Sequence, residues 1–132
     1  MKAILDTHIL LWWFEAESRL PNNYKKVIAA AGPDNPLRVC DISLWEIATL
    51  YELGRIELAI PLREWLERAT APPLVQICPI SPAVAAEVRS LPSTFPRDPA
   101  DRIIVSTARV LGASLLTRDD RITRSKVCDV LR

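Results

Sequence analysis

Short apolar runs alternate along the chain with longer segments in which apolar residues recur at helical spacing. Four runs lack polar alternation, as expected of strands covered on both faces, and they lie at residues 2–5, 37–40, 74–78 and 114–116. Residues 126–130 are predicted as a last strand. Helices are predicted at residues 8–16, 21–31, 43–53, 62–71, 81–91, 98–111 and 119–123. Strands that alternate with helices favour a mostly parallel sheet with helices on both faces.

Acidic residues stand at the expected helix starts. Asp6 directly follows the first strand, and Glu46 lies one turn into the helix after the second. Asp98 and Asp101 open the helix that leads into the fourth strand, and Asp119 follows that strand. Because the carboxyl ends of parallel strands share one edge, we expect all five to converge there. Carboxylates in such proximity need a counter-charge, and a hard divalent cation is the simplest one.

Each acid taken alone also fits a purely structural role. Asp6 and Asp119 are suitable N-cap residues. Ser43 and Glu46 match a capping box, with Ser43 as the start of its helix, and Asp98 is followed by the proline typical of a first helical position. Serine, threonine or asparagine would cap equally well, yet carboxylates recur at these positions. Their joint occurrence therefore favours a functional site.

Other polar residues near the acids are candidates for supporting roles. Thr7, Ser43 and Thr117 are placed to hold a carboxylate or a metal-bound water, or else to cap helices. His8 is the single histidine, so neither a histidine metal cluster nor histidine-centred acid–base catalysis is expected. We interpret it as part of a helix or as a neighbour of the acidic site.

Composition adds few constraints. The 132 residues are 49% hydrophobic and 25% charged, which is typical of one globular domain, and the net charge of +1 does not indicate a nucleic-acid partner. Residues 97–132 hold eight Lys and Arg against five Asp and Glu, a local excess compatible with a polyanion. Solvated helix faces would explain it equally. The candidate contacts to nucleic-acid phosphates are Arg97, Arg102, Arg118 and Arg121.

Further features bear on location and assembly. The three cysteines show no metal-binding spacing and are predicted to be free thiols of a reducing compartment. No signal peptide or membrane span is apparent, so a cytoplasmic protein is expected. Residues 9–14 are apolar all round the predicted helix, which indicates either burial in the core or contact with a second chain.

Five motifs in order resemble those of PIN-domain proteins, specifically the VapC-type toxins of type II toxin–antitoxin pairs. They are the segments at residues 6–13, 43–48, 53–58, 97–104 and 115–120, so the resemblance covers nearly the whole chain. It implies a single domain over residues 1–132 with a PIN-like three-layer α/β/α sandwich around a short, mostly parallel sheet. It also implies a Mg²⁺- or Mn²⁺-dependent endoribonuclease, a homodimer and a cognate antitoxin.

The resemblance assigns roles to the acids. Asp6, Glu46, Asp101 and Asp119 would form the catalytic, metal-binding quartet, and Asp98 would be an additional metal ligand. Thr117 would match the hydroxyl position beside the last acid. The chain lacks the histidine that similar sequences often carry in the segment before the third acid, and its tail beyond residue 121 matches poorly. Neither departure removes a predicted ligand.

Competing interpretations differ in chemistry. A haloacid-dehalogenase-like phosphatase needs an aspartate two residues after the first, where this chain has His8. A receiver domain needs an acceptor aspartate and a lysine after later strands, where the sequence has neither. A catalytically inactive PIN-type interaction module stays open, because a fold does not guarantee chemistry. So does a metal-dependent nuclease that acts on another nucleic acid.

Overall fold

Four parallel strands form the centre of the molecule in a computed structural model that describes residues 1–132. The strands are β1 (Ala3–Leu5), β2 (Leu37–Cys40), β3 (Val75–Cys78) and β4 (Ser114–Leu116), in the spatial order β3-β2-β1-β4. In β1, Ile4 pairs with Arg38 on one side and with Leu115 on the other. The carboxyl ends of β1, β2 and β4 consequently lie side by side at one edge.

Seven α-helices surround this sheet: α1 (Thr7–Glu15), α2 (Asn22–Ala29), α3 (Asp41–Glu52), α4 (Leu62–Ala69), α5 (Pro82–Glu87), α6 (Pro99–Leu111) and α7 (Asp120–Ser125). Short 3₁₀ turns occupy Glu17–Arg19 and Val88–Ser90. None of the helices combines the length and the apolar character needed to cross a membrane.

The two faces of the sheet are covered by different helices. Leu5 and Val39 point into a core that includes residues of α1, α2, α3 and α4. Ile4 and Leu115 point the other way, into a second core built with α6 and α7. Strands β1 and β4 are thus apolar on both sides, which explains why their sequences show no alternation. The edge strand β3 differs from the prediction, because Gln76 and Ile77 are exposed rather than covered. The predicted three-layer α/β/α architecture is confirmed.

Helix α6 carries the acid-rich segment across the second core. Asp98 is its N-cap, and Pro99 occupies its first position, where the missing N–H costs nothing. The helix ends at Gly112, whose φ of 62° is a left-handed conformation that glycine adopts without strain. Because Ala100, Ile104 and Ala108 are buried, the first turn of the helix is fixed at the carboxyl edge of the sheet.

Two predicted elements are wrong. Residues 126–130 do not form a strand, because Lys126 takes a left-handed conformation after α7 and only Val130 forms an isolated bridge, to Leu115. Ser43 does not start its helix, since α3 begins at Asp41 with Cys40 as the N-cap. The capping-box interpretation of Ser43 fails with it. The helix predicted over residues 81–91 is also shorter, since its last part is the 3₁₀ turn Val88–Ser90.

The apolar helix α1 is only partly covered. Ile9 and Leu10 are fully buried, Trp12 and Trp13 are half-buried, and Phe14 is exposed. On the neighbouring helix α3 and just after it, the side chains of Trp45, Tyr51 and Leu53 are also exposed. Of the two interpretations of this apolar segment, complete burial in the core is therefore excluded, and apolar side chains of α1 and α3 remain exposed.

Candidate active site

All five predicted acids line one cleft at the carboxyl edge of the sheet, and Thr7, His8 and Arg121 share its wall. The acids come from four separate segments: the end of β1, helix α3, the start of α6 and the loop after β4. The topology brings them together because three of these segments leave or approach neighbouring parallel strands.

Asp6 is the most deeply buried of the five acids. Its side chain is buried at the end of β1, and Oδ1 accepts a hydrogen bond of 2.8 Å from the backbone N–H of Thr7. Its other oxygen, Oδ2, accepts a hydrogen bond of 2.6 Å from the hydroxyl of Thr117. Thr117 also accepts the backbone N–H of Asp119 at 3.0 Å. One hydroxyl thus holds Asp6 and the backbone of Asp119 in a fixed relation.

A hydrogen bond between the hydroxyl groups of Thr7 and Ser43 positions the helix that carries Glu46. The side chain of Ser43 is fully buried, and its Oγ lies 2.9 Å from Oγ1 of Thr7. This hydrogen bond joins the first turns of α1 and α3, and Glu46 projects into the cleft from the next turn of α3. Burial raises the pKa of Glu46, and the hydroxyl of Thr7 partly opposes that shift.

Asp101 is the acid whose ionisation is most disfavoured. Burial, together with the negative charges of Asp6, Asp98, Asp119 and Glu46, raises the pKa of Asp101 to about 7. Asp98 is exposed and caps α6, since its Oδ1 accepts the backbone N–H of Asp101 at 3.0 Å. The capping role considered for Asp98 is therefore present alongside its place in the cleft.

The ionised form of Asp119, in contrast to that of Asp101, is stabilised by its surroundings. Hydrogen bonds from the side chain of Arg121 lower the pKa of Asp119, despite its partial burial. Nη2 and Nε of Arg121 donate to the two oxygens of Asp119 at 2.8 and 3.2 Å, and Nη2 also donates to Asp101 at 3.3 Å. Arg121 therefore supplies a positive charge inside the acidic cleft.

The structure gives the four candidate RNA-contacting arginines different environments. Arg97 and Arg118 are exposed, with no side-chain hydrogen bond or ion pair. Arg102 donates to the backbone carbonyls of Pro96 and Val88, so it stabilises the turn before α6. Arg121 contacts the acids, as described above. Contact of any of the four with RNA stays a prediction.

His8, which was not among the predicted site residues, joins two sides of the cleft. Nε2 of His8 accepts the backbone N–H of Arg118 at 2.9 Å, and Nδ1 lies 3.6 Å from Oδ2 of Asp6. Burial lowers the pKa of His8, although the charge of Asp6 partly counteracts it. His8 is therefore a neutral connector between the start of α1 and the loop after β4, in line with the prediction that it neighbours the acidic site.

Tyr24 supports the same loop from below. Its buried hydroxyl accepts the backbone N–H of Thr117 at 3.2 Å and lies 2.9 Å from the carbonyl oxygen of Thr117 and 2.6 Å from that of Leu131. Tyr24 and Thr117 are 93 positions apart, and no local pattern connects them. Sequence reasoning had no signal by which to find this contact.

The donor set of the cleft has the chemistry of a site for a hard cation, because carboxylate oxygens are its main ligands and they bring excess negative charge. However, no three Asp, Glu, His or Cys side chains are close enough together to bind one metal ion in this arrangement. Arg121 lies between Asp101 and Asp119 in this arrangement. The residue types are therefore suited to a divalent cation, but the side chains would have to rearrange to bind it.

Comparison with known proteins identifies the family. The family model described as PIN domain matches residues 3–127. The sequence is also 41% identical over 120 residues to Ribonuclease VapC22 of Mycobacterium tuberculosis, a match that covers 91% of this chain and 88% of that protein. The chain belongs to the VapC group of the PIN-domain family.

Solved structures share the fold of this PIN domain. VapBC2 from Rickettsia felis, bound to a promoter DNA fragment, aligns with a TM-score of 0.74 at 17% identity, covering 99% of this chain and 98% of that one. DNA-bound VapBC from Salmonella typhimurium aligns with a TM-score of 0.71 at 16% identity, covering 99% and 97%. At such low identities the likeness supports the PIN fold alone.

Proposed function

We propose that this PIN domain is a metal-dependent endoribonuclease and the toxin of a type II toxin–antitoxin pair. The observation that carries the proposal is the convergence of Asp6, Glu46, Asp101 and Asp119, with Asp98, in one cleft. The relative named Ribonuclease VapC22 supports RNA as the substrate. The one histidine of the cleft, His8, uses its Nε2 to accept a backbone N–H, so the arrangement favours chemistry supplied by a cation.

Asp6, Asp98, Asp101, Glu46 and Asp119 would hold Mg²⁺ or Mn²⁺, with Asp6 and Asp101 as direct ligands and the others binding directly or through water. When bound, such a cation activates water for attack on phosphorus and stabilises the charge of the leaving oxygen. It would also remove the reason for the raised pKa of Asp101, because a positive charge favours the ionised carboxylate.

The remaining polar residues prepare the carboxylates. Thr117 orients one oxygen of Asp6 by a hydrogen bond, and the backbone of Thr7 fixes the other, so Asp6 cannot rotate away from the cleft. The pair of Thr7 and Ser43 keeps α3, and with it Glu46, in register with β1. This preorganisation would reduce the reorganisation needed when substrate binds. Arg97, Arg102, Arg118 and Arg121 are the proposed contacts to RNA phosphates.

A cognate antitoxin is the proposed protein partner. The solved structures that share this fold include VapBC from several bacteria and a toxin–antitoxin complex from Klebsiella pneumoniae, which supports a partner of the same kind here. A homodimer is also proposed, with the exposed aromatic surface of Phe14, Trp45 and Tyr51 as the apolar area available for contact. The cytoplasm is the proposed location, because RNA and an antitoxin would be met there.

Cleavage of total cellular RNA by the purified, antitoxin-free protein tests the proposal. We expect discrete fragments with Mg²⁺ or Mn²⁺, none with EDTA, and none from an Asp6→Asn/Asp101→Asn double variant. A parallel reaction with single-stranded DNA distinguishes a nuclease of another specificity. Absence of cleavage of either nucleic acid by the folded protein, with both metals, would favour an inactive interaction module.

A further inference from the structure

Arg121 contacts two of the acids that line the cleft. Its guanidinium makes a two-nitrogen contact with Asp119, and its backbone N–H donates to Oδ1 of the same carboxylate at 2.9 Å. The nitrogen Nη2 lies 2.8 Å from Asp119 and 3.3 Å from Asp101, so one cationic group touches two acids at once. Charge-assisted bonds of this forked kind are strong when buried, but exposure of the guanidinium to water reduces their contribution here.

This position coincides with the place where the proposed metal would bind. Asp101 and Asp119 are both proposed ligands, and in the present arrangement each has one oxygen directed to the same nitrogen of Arg121. A metal ion between these oxygens would be repelled by the guanidinium, because arginine keeps its positive charge at any pH the protein tolerates. Metal and guanidinium therefore compete for Asp101 and Asp119.

The guanidinium can leave without disturbing the core. The side chain of Arg121 is 57% exposed, whereas those of Asp101 and Asp119 are 13% and 20% exposed. Arginine ion pairs that are open to water are weak, because the ion regains its hydration when the pair opens. The acids stay in place while Arg121 moves, which is the behaviour of a displaceable counter-ion.

We propose that Arg121 is an internal counter-ion of the acidic cleft, which a divalent cation must displace from Asp101 and Asp119 in order to bind. The inference rests on the proposed function, since it takes the cleft to be a metal site. It gives Arg121 a role before catalysis that differs from phosphate binding. The competing guanidinium would thus lower the apparent affinity of the cleft for metal, so that a higher ion concentration is needed to fill it.

Mn²⁺ affinity of the metal-free protein, measured by isothermal titration calorimetry at constant ionic strength, tests the proposal. Arg121→Gln should bind Mn²⁺ roughly three- to tenfold more tightly, the range expected when a weak competing ion pair is lost. Arg124→Gln is the matched control, because Arg124 is exposed on the same helix and its side chain makes no ion pair or hydrogen bond. Its affinity should stay within about twofold of the wild type, which accounts for general charge effects.

Arg121→Lys separates geometry from charge. Lysine keeps the positive charge but lacks the fork that contacts both carboxylates, so its Mn²⁺ affinity should lie between those of the wild type and Arg121→Gln. In ¹⁵N-arginine-labelled wild type, diamagnetic Mg²⁺ should shift the Nε–H signal that disappears in Arg121→Lys. The corresponding signal of Arg124 should stay in place.

Equal Mn²⁺ affinities in Arg121→Gln and Arg124→Gln, or an unchanged Nε–H signal of Arg121 at saturating Mg²⁺, would overturn the proposal while leaving the metal site intact. Failure of every folded variant and of the wild type to bind Mn²⁺ would overturn the proposal together with the proposed metal dependence. The two failures are therefore distinguishable.

Discussion

The hydroxyl of Thr117 lies 2.6 Å from Oδ2 of Asp6, and this hydrogen bond joins residues 111 positions apart in the sequence. The same hydroxyl accepts the backbone N–H of Asp119. The first and last acids of the cleft are therefore held together by a side chain that cannot itself supply charge. Its effect on activity should operate through the orientation of Asp6.

Replacement of Thr117 by valine removes this contact while preserving the shape of the side chain. The carboxylate of Asp6 would keep only its bond to Thr7, and the buried N–H of Asp119 would lose its acceptor. We expect RNA cleavage to fall at least tenfold and the free energy of unfolding to fall by about 1–2 kcal/mol. Single-turnover cleavage and urea unfolding measure the two effects.

Thr117→Ser is the control for this prediction, because serine retains the hydroxyl. It should recover most of the cleavage rate lost in Thr117→Val. Full activity of the valine variant would show that the hydrogen bond to Asp6 is dispensable.

Asp101→Asn should stabilise the metal-free protein at neutral and alkaline pH. The pKa of Asp101 in the folded chain is about 7, because burial and neighbouring carboxylates disfavour its charge, whereas an unfolded aspartate titrates near 3.8. Ionisation of Asp101 therefore costs folding free energy. At pH 8 we expect the asparagine variant to be more stable by roughly 1–3 kcal/mol, as judged by urea unfolding in EDTA.

The stability difference between Asp101→Asn and the wild type should depend on pH, because the pKa of Asp101 is raised on folding. Below about pH 4 the carboxyl is protonated in both states, so the variant and the wild type should differ little. The difference should grow as the pH rises from about 4 to about 7 and should level off above that, where the carboxyl is ionised in both states. Saturating Mg²⁺ should reduce or reverse it, since a bound cation stabilises the ionised wild type. A variant less stable than the wild type at pH 8 in EDTA would refute the account of Asp101.

Tyr24→Phe tests the support beneath the loop that carries Thr117. The change leaves the backbone N–H of Thr117 and the carbonyl of Leu131 without their hydroxyl partner. Loss of a buried hydrogen bond of this kind should lower the free energy of unfolding by about 1–3 kcal/mol. Thermal unfolding would show it, and Tyr51→Phe, which alters an exposed tyrosine, is the matched control.

His8 should remain neutral at pH 7, with its proton on Nδ1. Nε2 accepts the N–H of Arg118, which requires a free lone pair there, and burial lowers the pKa of the ring. ¹⁵N NMR of the histidine ring should show the Nδ1–H tautomer and a titration midpoint below 6.5. The stability gained from the neutral ring would be lost as the pH falls through that midpoint. A midpoint above 6.5 would contradict this description.

The strands and the helix that deliver the acids were predictable from the sequence. Leu37–Cys40 and Ser114–Leu116 were identified at their observed bounds because their mostly apolar residues reflect burial in the sheet. Helix α6 was identified because Asp98-Pro99 and Gly112 mark its ends with local chemistry. The placement of the acids followed from the parallel topology, and all five line the cleft as expected.

The remaining features depend on contacts that are distant in sequence. Ser43 resembled a helix cap, but its hydroxyl is used by Thr7, and the chain enters α3 two residues earlier. Residues 126–130 had strand composition, yet the left-handed Lys126 and the single bridge of Val130 leave them outside the sheet. Arg121 was predicted to contact RNA because its charge is visible in the sequence. The sequence gives no sign of the hydrogen bond from Arg121 to Asp101.

Two adjacent acids offer the most direct test of the claim that the cleft performs the chemistry. Asp119 lines the acidic cleft, whereas the exposed Asp120 faces a separate depression beside Arg118. Cleavage of a mapped RNA fragment in Mg²⁺ should be compared between Asp119→Asn and Asp120→Asn, which remove the same charge one residue apart. The account predicts a loss of roughly 100-fold or more for Asp119→Asn and a change within about twofold for Asp120→Asn. Equal effects of the two substitutions, or undiminished cleavage by Asp119→Asn, would contradict it.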